Sequence, residues 1–223
     1  MPTCPLCFAT ANQLWLTNTS ATSLAGREYW NCQVCDLVFV PAKFHLRPAQ
    51  ELEVYLQHEN NPDDLGYRQF LSRLCQPLLQ QLALLPVAKA KITGLDFGSG
   101  PGPTLSLMLN EAGYTCANYD PYFAPHPHLL NQNYTFITSS EVFEHLAQPA
   151  QVIQQLVNCL QPQGFLGIMT QRPLNQEAFK TWHYLADPTH ITFYTSKCFA
   201  WIAAHWQLER VYLSKDVILL RKL

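Results

Sequence analysis

The chain has 223 residues, 48% of them hydrophobic, with 14 Lys and Arg against 16 Asp and Glu and a formal net charge of −2. That much apolar chain suffices for one full-sized core and a small appended module, while the near-neutral balance excludes a global field that would draw nucleic acid or an anionic membrane. No basic, apolar and small-residue leader precedes the first cysteines, and no apolar run approaches the ~20 residues of a membrane span. A cytoplasmic protein with no membrane partner is therefore expected.

Residues 1–42 show little helical periodicity and carry two C-x-x-C pairs, Cys4 with Cys7 and Cys32 with Cys35. The second pair is flanked by the strand-like stretches REYWN and LVFV, the pattern of a small loop-rich module held by a staple. Four soft thiolates from two such turns suit a tetrahedral ion. The site would be structural, because four cysteines leave no open position for catalysis. A zinc ribbon binding one Zn2+ is expected, with disulfide pairing as the alternative in an oxidising compartment. Cys75, Cys116, Cys159 and Cys198 stand singly and read as small core residues.

Residues 43–90 read as a linker followed by a helical segment. PAKFHLRPAQ, with prolines towards both ends, has the look of a connection. From Gly66 to Leu85, the apolar positions Phe70, Leu71, Leu74, Leu78 and Leu82 recur at helical spacing, and Pro77 is predicted to kink or divide that helix. From residue 91 to 223 strands and helices alternate: KITGLDF, YTCANYD, YTFITSS and GFLGIMT as strands, PTLSLMLNEAG and PAQVIQQLVNCL as helices. An irregular segment rich in aromatics and histidines follows, then a helix around TSKCFAWIAAHW and two closing strands, LERVYLS and VILLRK. The alternation predicts a layered α/β domain on a mostly parallel sheet, closed by an antiparallel pair.

The loop GLDFGSGPGPTL, residues 94–105, discriminates between cofactors. A dinucleotide fingerprint needs a third glycine where Pro103 stands, and a triphosphate-binding loop needs a lysine that is absent here. The loop instead has Asp96 two residues before Gly98, Gly100 and Gly102. A carboxylate so placed repels a pyrophosphate but suits a neighbouring ammonium, and bare glycines let the backbone approach a nucleoside. Asp120 ends the next strand, where an acid can take both hydroxyls of a ribose. Together these residues describe a nucleoside ligand with a cationic tail.

At this point the chain resembles the class I S-adenosylmethionine-dependent methyltransferases. The glycine loop resembles their first motif, NYDP their second-strand acid, and SSEVFEHL (139–146) the segment after the fourth strand in members that methylate quinones, sugars and other small molecules. WHYLADPTHITFYT (182–195) is similar to a segment of relatives that carry an N-terminal zinc ribbon. The resemblance implies a Rossmann-like fold and S-adenosylmethionine as methyl donor. It places Gly98, Gly100 and Gly102 along the cofactor, Asp96 near its methionine end, and Asp120 on the ribose. Pro121 and Tyr122 would lie near the adenine, Ser140 and Glu141 beside the cofactor, and Tyr67 over the methionine carboxylate. One departure is expected: too few residues separate Asp120 from SSEVFEHL to hold the family's third strand and its helix, so that region should be reduced.

Methyl transfer from a sulfonium is an in-line displacement, so the protein chiefly aligns the acceptor and excludes water. A hydroxyl or carbon acceptor also needs a base, and His190, then His183, are the candidates. His145 reads as structural. Glu141 and Glu144 could form an acid pair, and Trp182, Tyr184, Phe193 and Tyr194 could stack on a flat acceptor or pack in the core. A small-molecule acceptor is expected from the missing basic surplus. An RNA or protein methyltransferase using the ribbon for recognition, and a non-catalytic cofactor-binding regulator, are the alternatives.

Overall fold

A computed structural model describes residues 1–19, 24–57 and 60–223. Residues 20–23 of the ribbon segment and 58–59 of the linker lie outside that description. Two sheets organise the chain. The larger is built from β4 (Thr93–Phe97), β5 (Thr115–Tyr119), β6 (Tyr134–Ser140), β7 (Leu160–Met169), β9 (Leu208–Leu213) and β10 (Val217–Lys222), in the order β5-β4-β6-β7-β10-β9. The β4 pairings with β5 and β6, and that of β6 with β7, are parallel, whereas β10 runs antiparallel to both β7 and β9.

The inner strands are continuous hydrophobic runs because helices cover both faces of the sheet. Along β10, Ile218 and Leu220 enter the core shared with Ile153, Leu156, Phe199 and Ile202. Val217 and Leu219 point the other way, into the core shared with Leu71, Leu74, Leu78, Leu105 and Leu109. This is the period-two alternation of a strand. The first face is covered by α4 (Pro149–Cys159) and α6 (Ser196–His205), and the second by α2 (Leu65–Ala83) and α3 (Thr104–Glu111). Asp64 caps α2, accepting from the Gly66 and Tyr67 amides. The helix runs unbroken past Pro77 rather than dividing there; Pro77 lies on its buried side, where packing against the sheet offsets the lost backbone bond.

The reduced region is where the sequence places it. Between Asp120 and β6 the chain forms a single bridge, Asp120 to Ala124, and a 3-10 turn over Pro127–Asn131, which leaves β5 at the sheet edge.

The smaller sheet has the order β1 (Asn12–Thr17), β2 (Glu28–Cys32), β3 (Leu37–Phe39) and β8 (Thr192–Tyr194). Its first three strands come from the cysteine module. The fourth comes from the aromatic and histidine-rich segment, with Leu37, Val38 and Phe39 opposite Tyr194, Phe193 and Thr192. A third core, of Tyr29, Val38 and Val40 with Phe179, Tyr184, Ile191 and Phe193, lies on this sheet. Trp182 and Phe193 pack around Phe179, Tyr184 packs on Trp182 and Phe193, and Tyr194 packs against Phe143 and Phe199. These aromatics are core, not an acceptor platform. The linker also contains a helix that periodicity missed, α1 (Pro48–Tyr55), opened by Pro48 in its first turn. The short α5 (Gln176–Lys180) completes the elements. Among the described residues no helix is long and apolar enough to cross a membrane.

Candidate active site and cysteine cluster

The C-terminal ends of β4, β5 and β6 open onto a cavity of about 830 Å³, where parallel α/β sheets take their ligands. Its floor is the glycine loop. Gly98 and Gly100 have φ of 76° and 64°, left-handed values that a side chain resists. Gly102 is there for space, since a Cβ would fall 1.6 Å from the Asn60 carbonyl oxygen. The loop is tied to β5 by the Gly98 amide donating to Tyr119 O at 2.8 Å and the Gly100 amide donating to Asp120 Oδ2 at 3.0 Å.

Two buried carboxylates flank the loop. Asp120 Oδ1 accepts from the Tyr122 and Phe123 amides at 2.8 and 3.0 Å. Asp96 accepts from the Thr138 hydroxyl at 2.7 Å, and burial, with Asp120 adding repulsion, pushes its carboxyl up to about 6. A cation beside Asp96 would restore its ionised form. Ser99 and Ser140 line the same cavity, and their buried hydroxyls have no hydrogen-bond partner among the described residues, which leaves polar groups for a ligand or water to satisfy. Tyr67, stacked on Phe70, and Pro121, Tyr122 and Glu141 complete its walls. Every residue that the sequence nominated for the cofactor therefore faces one space.

Helix α1 covers this space from the linker side. Tyr122 donates its hydroxyl to Glu51 Oε2 at 2.8 Å, Tyr55 donates to Glu51 Oε1 at 3.0 Å, and the Tyr55 ring stands edge-on to His145. Glu51, Tyr55 and Asn60 were missed because their role rests on a fold-back contact that no local pattern announces.

Opposite the loop stands a second cluster. Glu144 is fully buried, accepting from Thr170 at 2.8 Å and from the Tyr184 hydroxyl. That hydroxyl also lies 3.3 Å from Glu141 Oε2. Burial, then repulsion from Glu144, pushes Glu141 up to about 8, and burial likewise raises Glu144. The Tyr184 hydroxyl reaches both carboxylates, and burial holds both towards their protonated forms.

His190 lines the cavity and is buried, whereas His183 is exposed on the 3-10 turn His183–Ala186 and does not reach the cavity. His190 Nδ1 is 2.7 Å from Tyr184 O. A carbonyl only accepts, so Nδ1 carries the proton and Nε2 keeps its lone pair. Nε2 lies 3.7 Å from Asp187 Oδ2. Burial, then the neighbouring His145, holds the imidazole below its ordinary value, so it is neutral near pH 7. The donor atoms of Glu144, His145 and His190 lie within 4.8 Å of one another.

The four cysteines of the N-terminal module form the other convergent set. Cys4 Sγ is 3.5 Å from Cys35 Sγ, and Cys7 Sγ is 3.3 Å from Cys32 Sγ. These spacings are far beyond a disulfide, ~2.05 Å, and near the ~3.8 Å edge of a tetrahedron with zinc–sulfur bonds of ~2.3 Å. Backbone amides of Leu6 and Cys7 point at Cys4, and those of Val34 and Cys35 point at Cys32. Such amides favour the thiolate; with the neighbouring thiols they lower Cys32 against its burial, whereas the Cys35 thiol and burial raise Cys4 despite them.

A parallel sheet closed by an antiparallel hairpin, with a glycine loop between two strand-end acids, defines the class I methyltransferase type of fold. A family model described as a methyltransferase domain matches residues 67–213, and the chain belongs to that family. Curated relatives include the ubiquinone biosynthesis O-methyltransferase of Serratia proteamaculans (strain 568), 30% identical over 81 residues, 36% of this chain and 34% of that protein. Its counterpart from Sodalis glossinidius (strain morsitans) is 28% identical over 86 residues, 38% of this chain and 34% of that protein. The chain thus spans about a third of the length of these relatives. Among solved structures, the magnesium protoporphyrin IX methyltransferase of Synechocystis PCC 6803 with bound SAH superposes with a TM-score of 0.53 at 12% identity, over 78% of this chain and 94% of that one. That likeness is one of fold.

Proposed function

We propose that this chain is an enzyme that transfers the methyl group of S-adenosylmethionine to a hydroxyl of a small molecule. The observation that carries the reading is the single cavity lined by Asp96, Gly98, Gly100, Gly102 and Asp120 on one side and by His190 on the other. When bound, the sulfonium supplies an activated methyl group. The chain's residues do the rest. Asp96 faces the cationic methionine end, Asp120 takes the ribose hydroxyls, and Ser99 and Ser140 supply free hydroxyls. Helix α1 and Tyr67 exclude water, which matters because a dry site favours in-line transfer over hydrolysis. His190 Nε2 takes the acceptor proton, and Asp187 pairs with the imidazolium that forms. The names of the matched relatives support a small hydroxylated acceptor, and the near-neutral net charge supports it over RNA.

The test is transfer of radiolabelled methyl groups from S-adenosylmethionine into fractionated metabolites and RNA. Label is expected in a small-molecule fraction; label confined to RNA would overturn the acceptor class, and no label in any fraction would favour the regulator. Gly102→Ala, whose added carbon collides with Asn60, is expected to weaken S-adenosylhomocysteine binding at least about tenfold by calorimetry, the size of a moderate packing insult.

A second reading of the acceptor side rests on the convergence of Glu144, His145 and His190. A divalent cation held there would polarise the acceptor oxygen, with His190 as ligand instead of base. Label transfer that depends on added Fe2+ or Mn2+, ions that a two-histidine, one-carboxylate set suits, would select it, and turnover independent of them keeps His190 as the base.

The four cysteines hold a structural Zn2+ in this reading, a thiolate site that suits the reducing cytoplasm. The glutamate pair gives a pH signature. Glu141 folds with a carboxyl near 8 against 4.5 unfolded, so between those values the folded state holds a proton that the unfolded state has lost. Its contribution is present at low pH and lost as pH rises through about 8. The urea midpoint is expected to fall from about pH 6.5 to about pH 8.5, and Glu141→Gln is expected to flatten that slope.

A further inference from the structure

The turn that carries Asp187 and His190 is held from behind by the cysteine module. Arg27 is buried to 2% exposure, and its guanidinium donates through Nη1 to Pro188 O at 3.0 Å and through Nη2 to His190 O at 2.6 Å. Both acceptors are backbone carbonyls of the acceptor-side turn. No carboxylate lies within ion-pair distance of this guanidinium among the described residues, and Asp187 acts on it only at longer range. Burying a cation is costly, and a planar fork bridges the two carbonyls from two nitrogens held in one rigid plane, a geometry that the single nitrogen of a lysine does not reproduce.

The same segment is fixed at its other end. The Val40 amide donates to Ile191 O at 2.8 Å, β3 pairs with β8, and Thr195 donates to Asp36 Oδ2 at 2.5 Å. Asp36 follows Cys35 directly and has a left-handed φ of 61°, so its position depends on the cysteine turn. Arg27 directly precedes β2, and Cys32 is its last residue. One rigid hairpin thus joins the four-cysteine cluster to the carbonyl of His190.

We infer that Arg27 is a positioning residue: through the carbonyls of Pro188 and His190 it fixes the His190 and Asp187 wall of the cavity, and so couples the cysteine module to the acceptor side. It touches neither the cavity nor the glycine loop. The inference rests on the methyl-transfer reading for its meaning, but its physical content is separable. Loss of Arg27 should loosen one wall of the site and leave the cofactor wall intact.

The test compares the metal-loaded wild type with Arg27→Gln and Arg27→Lys by hydrogen exchange, imidazole NMR and S-adenosylhomocysteine calorimetry. In Arg27→Gln, the amides of Asp187 and of residues 189–192 are expected to exchange at least about tenfold faster, the worth of one charge-assisted hydrogen bond. Those of 94–105 should be unchanged, and S-adenosylhomocysteine affinity should stay within about twofold. The His190 ring nitrogens should lose the pure Nδ1–H tautomer signature in long-range proton–nitrogen spectra. Arg27→Lys, which keeps charge but not the fork, should fall between. Unchanged exchange at 187–192, or equal acceleration at 94–105 with loss of affinity, would overturn the inference. If Arg27→Gln yields no folded protein, the same comparison on Arg27→Lys decides it. Failure of the wild type to bind S-adenosylhomocysteine would strike the methyl-transfer reading alone.

Discussion

Asp120→Ala is expected to remove measurable S-adenosylhomocysteine binding in calorimetry while metal content and the overall circular dichroism stay unchanged. The size of the effect follows from two jobs done by one carboxylate. In the free protein it accepts from the amides of Gly100, Tyr122 and Phe123, so its removal leaves three loop donors without a partner. Each such loss costs roughly 1–3 kcal/mol where water cannot replace the acceptor. In the complex the same oxygens would meet the ribose, and charge-assisted bonds to hydroxyls add a similar amount. Together these predict a loss of at least about a hundredfold. Asp120→Asn should fall between, since the amide retains one acceptor. Unchanged affinity in Asp120→Ala would remove the ribose assignment.

The second large effect is expected at the cysteines. Cys32→Ser combined with Cys35→Ser should reduce bound zinc from about one ion per chain to about none, and should lower thermal stability by far more than two surface substitutions would. Structural zinc sites contribute ~10–16 kcal/mol of apparent binding energy in small modules. The loss should not stay local. With the cluster gone, Leu37 and Phe39 lose their seat beside Cys4 and Cys35 in the shared core, and β8 loses its partner. Elemental analysis with calorimetric melting checks both points. Retained zinc, or an unaltered melt, would show that the four thiols do not form the metal site.

How much of this was legible before the structure depended on whether the signal was local. Asp96, the three glycines and Asp120 could be read because a turn after a strand and an acid at the next strand's end have fixed spacing. The cysteine pairs could be read for the same reason. His190 and His183 looked alike in the sequence because they share one segment; the 3-10 turn at His183–Ala186 rotates one outward, and no periodicity encodes that. Arg27, Glu51 and β8 were invisible for a different reason. Each gains its role from a partner far along the chain, Arg27 from a carbonyl 163 positions away and Glu51 from a tyrosine 71 away. The aromatics of 182–194 were ambiguous between stacking and packing, and the module that covers them decided for packing.

The pairing of β3 with β8 also bears on the order in which the molecule can be made. The two strands meet through residues as far as 157 positions apart, Leu37 and Tyr194, so a chain emerging from the ribosome exposes the first three strands of the smaller sheet long before the fourth exists. If the four thiols hold zinc as proposed, they could take it up early, since all four lie within residues 4–35. The hydrophobic side of that hairpin, with Tyr29, Val38 and Val40, must wait for Phe179 and Phe193. Long-range pairing of this kind slows folding and leaves apolar surface uncovered in the interval. Translation arrested before residue 192 should therefore leave a sticky nascent chain even where its cysteine module has already formed, and completion of the C-terminal third is the step that closes it.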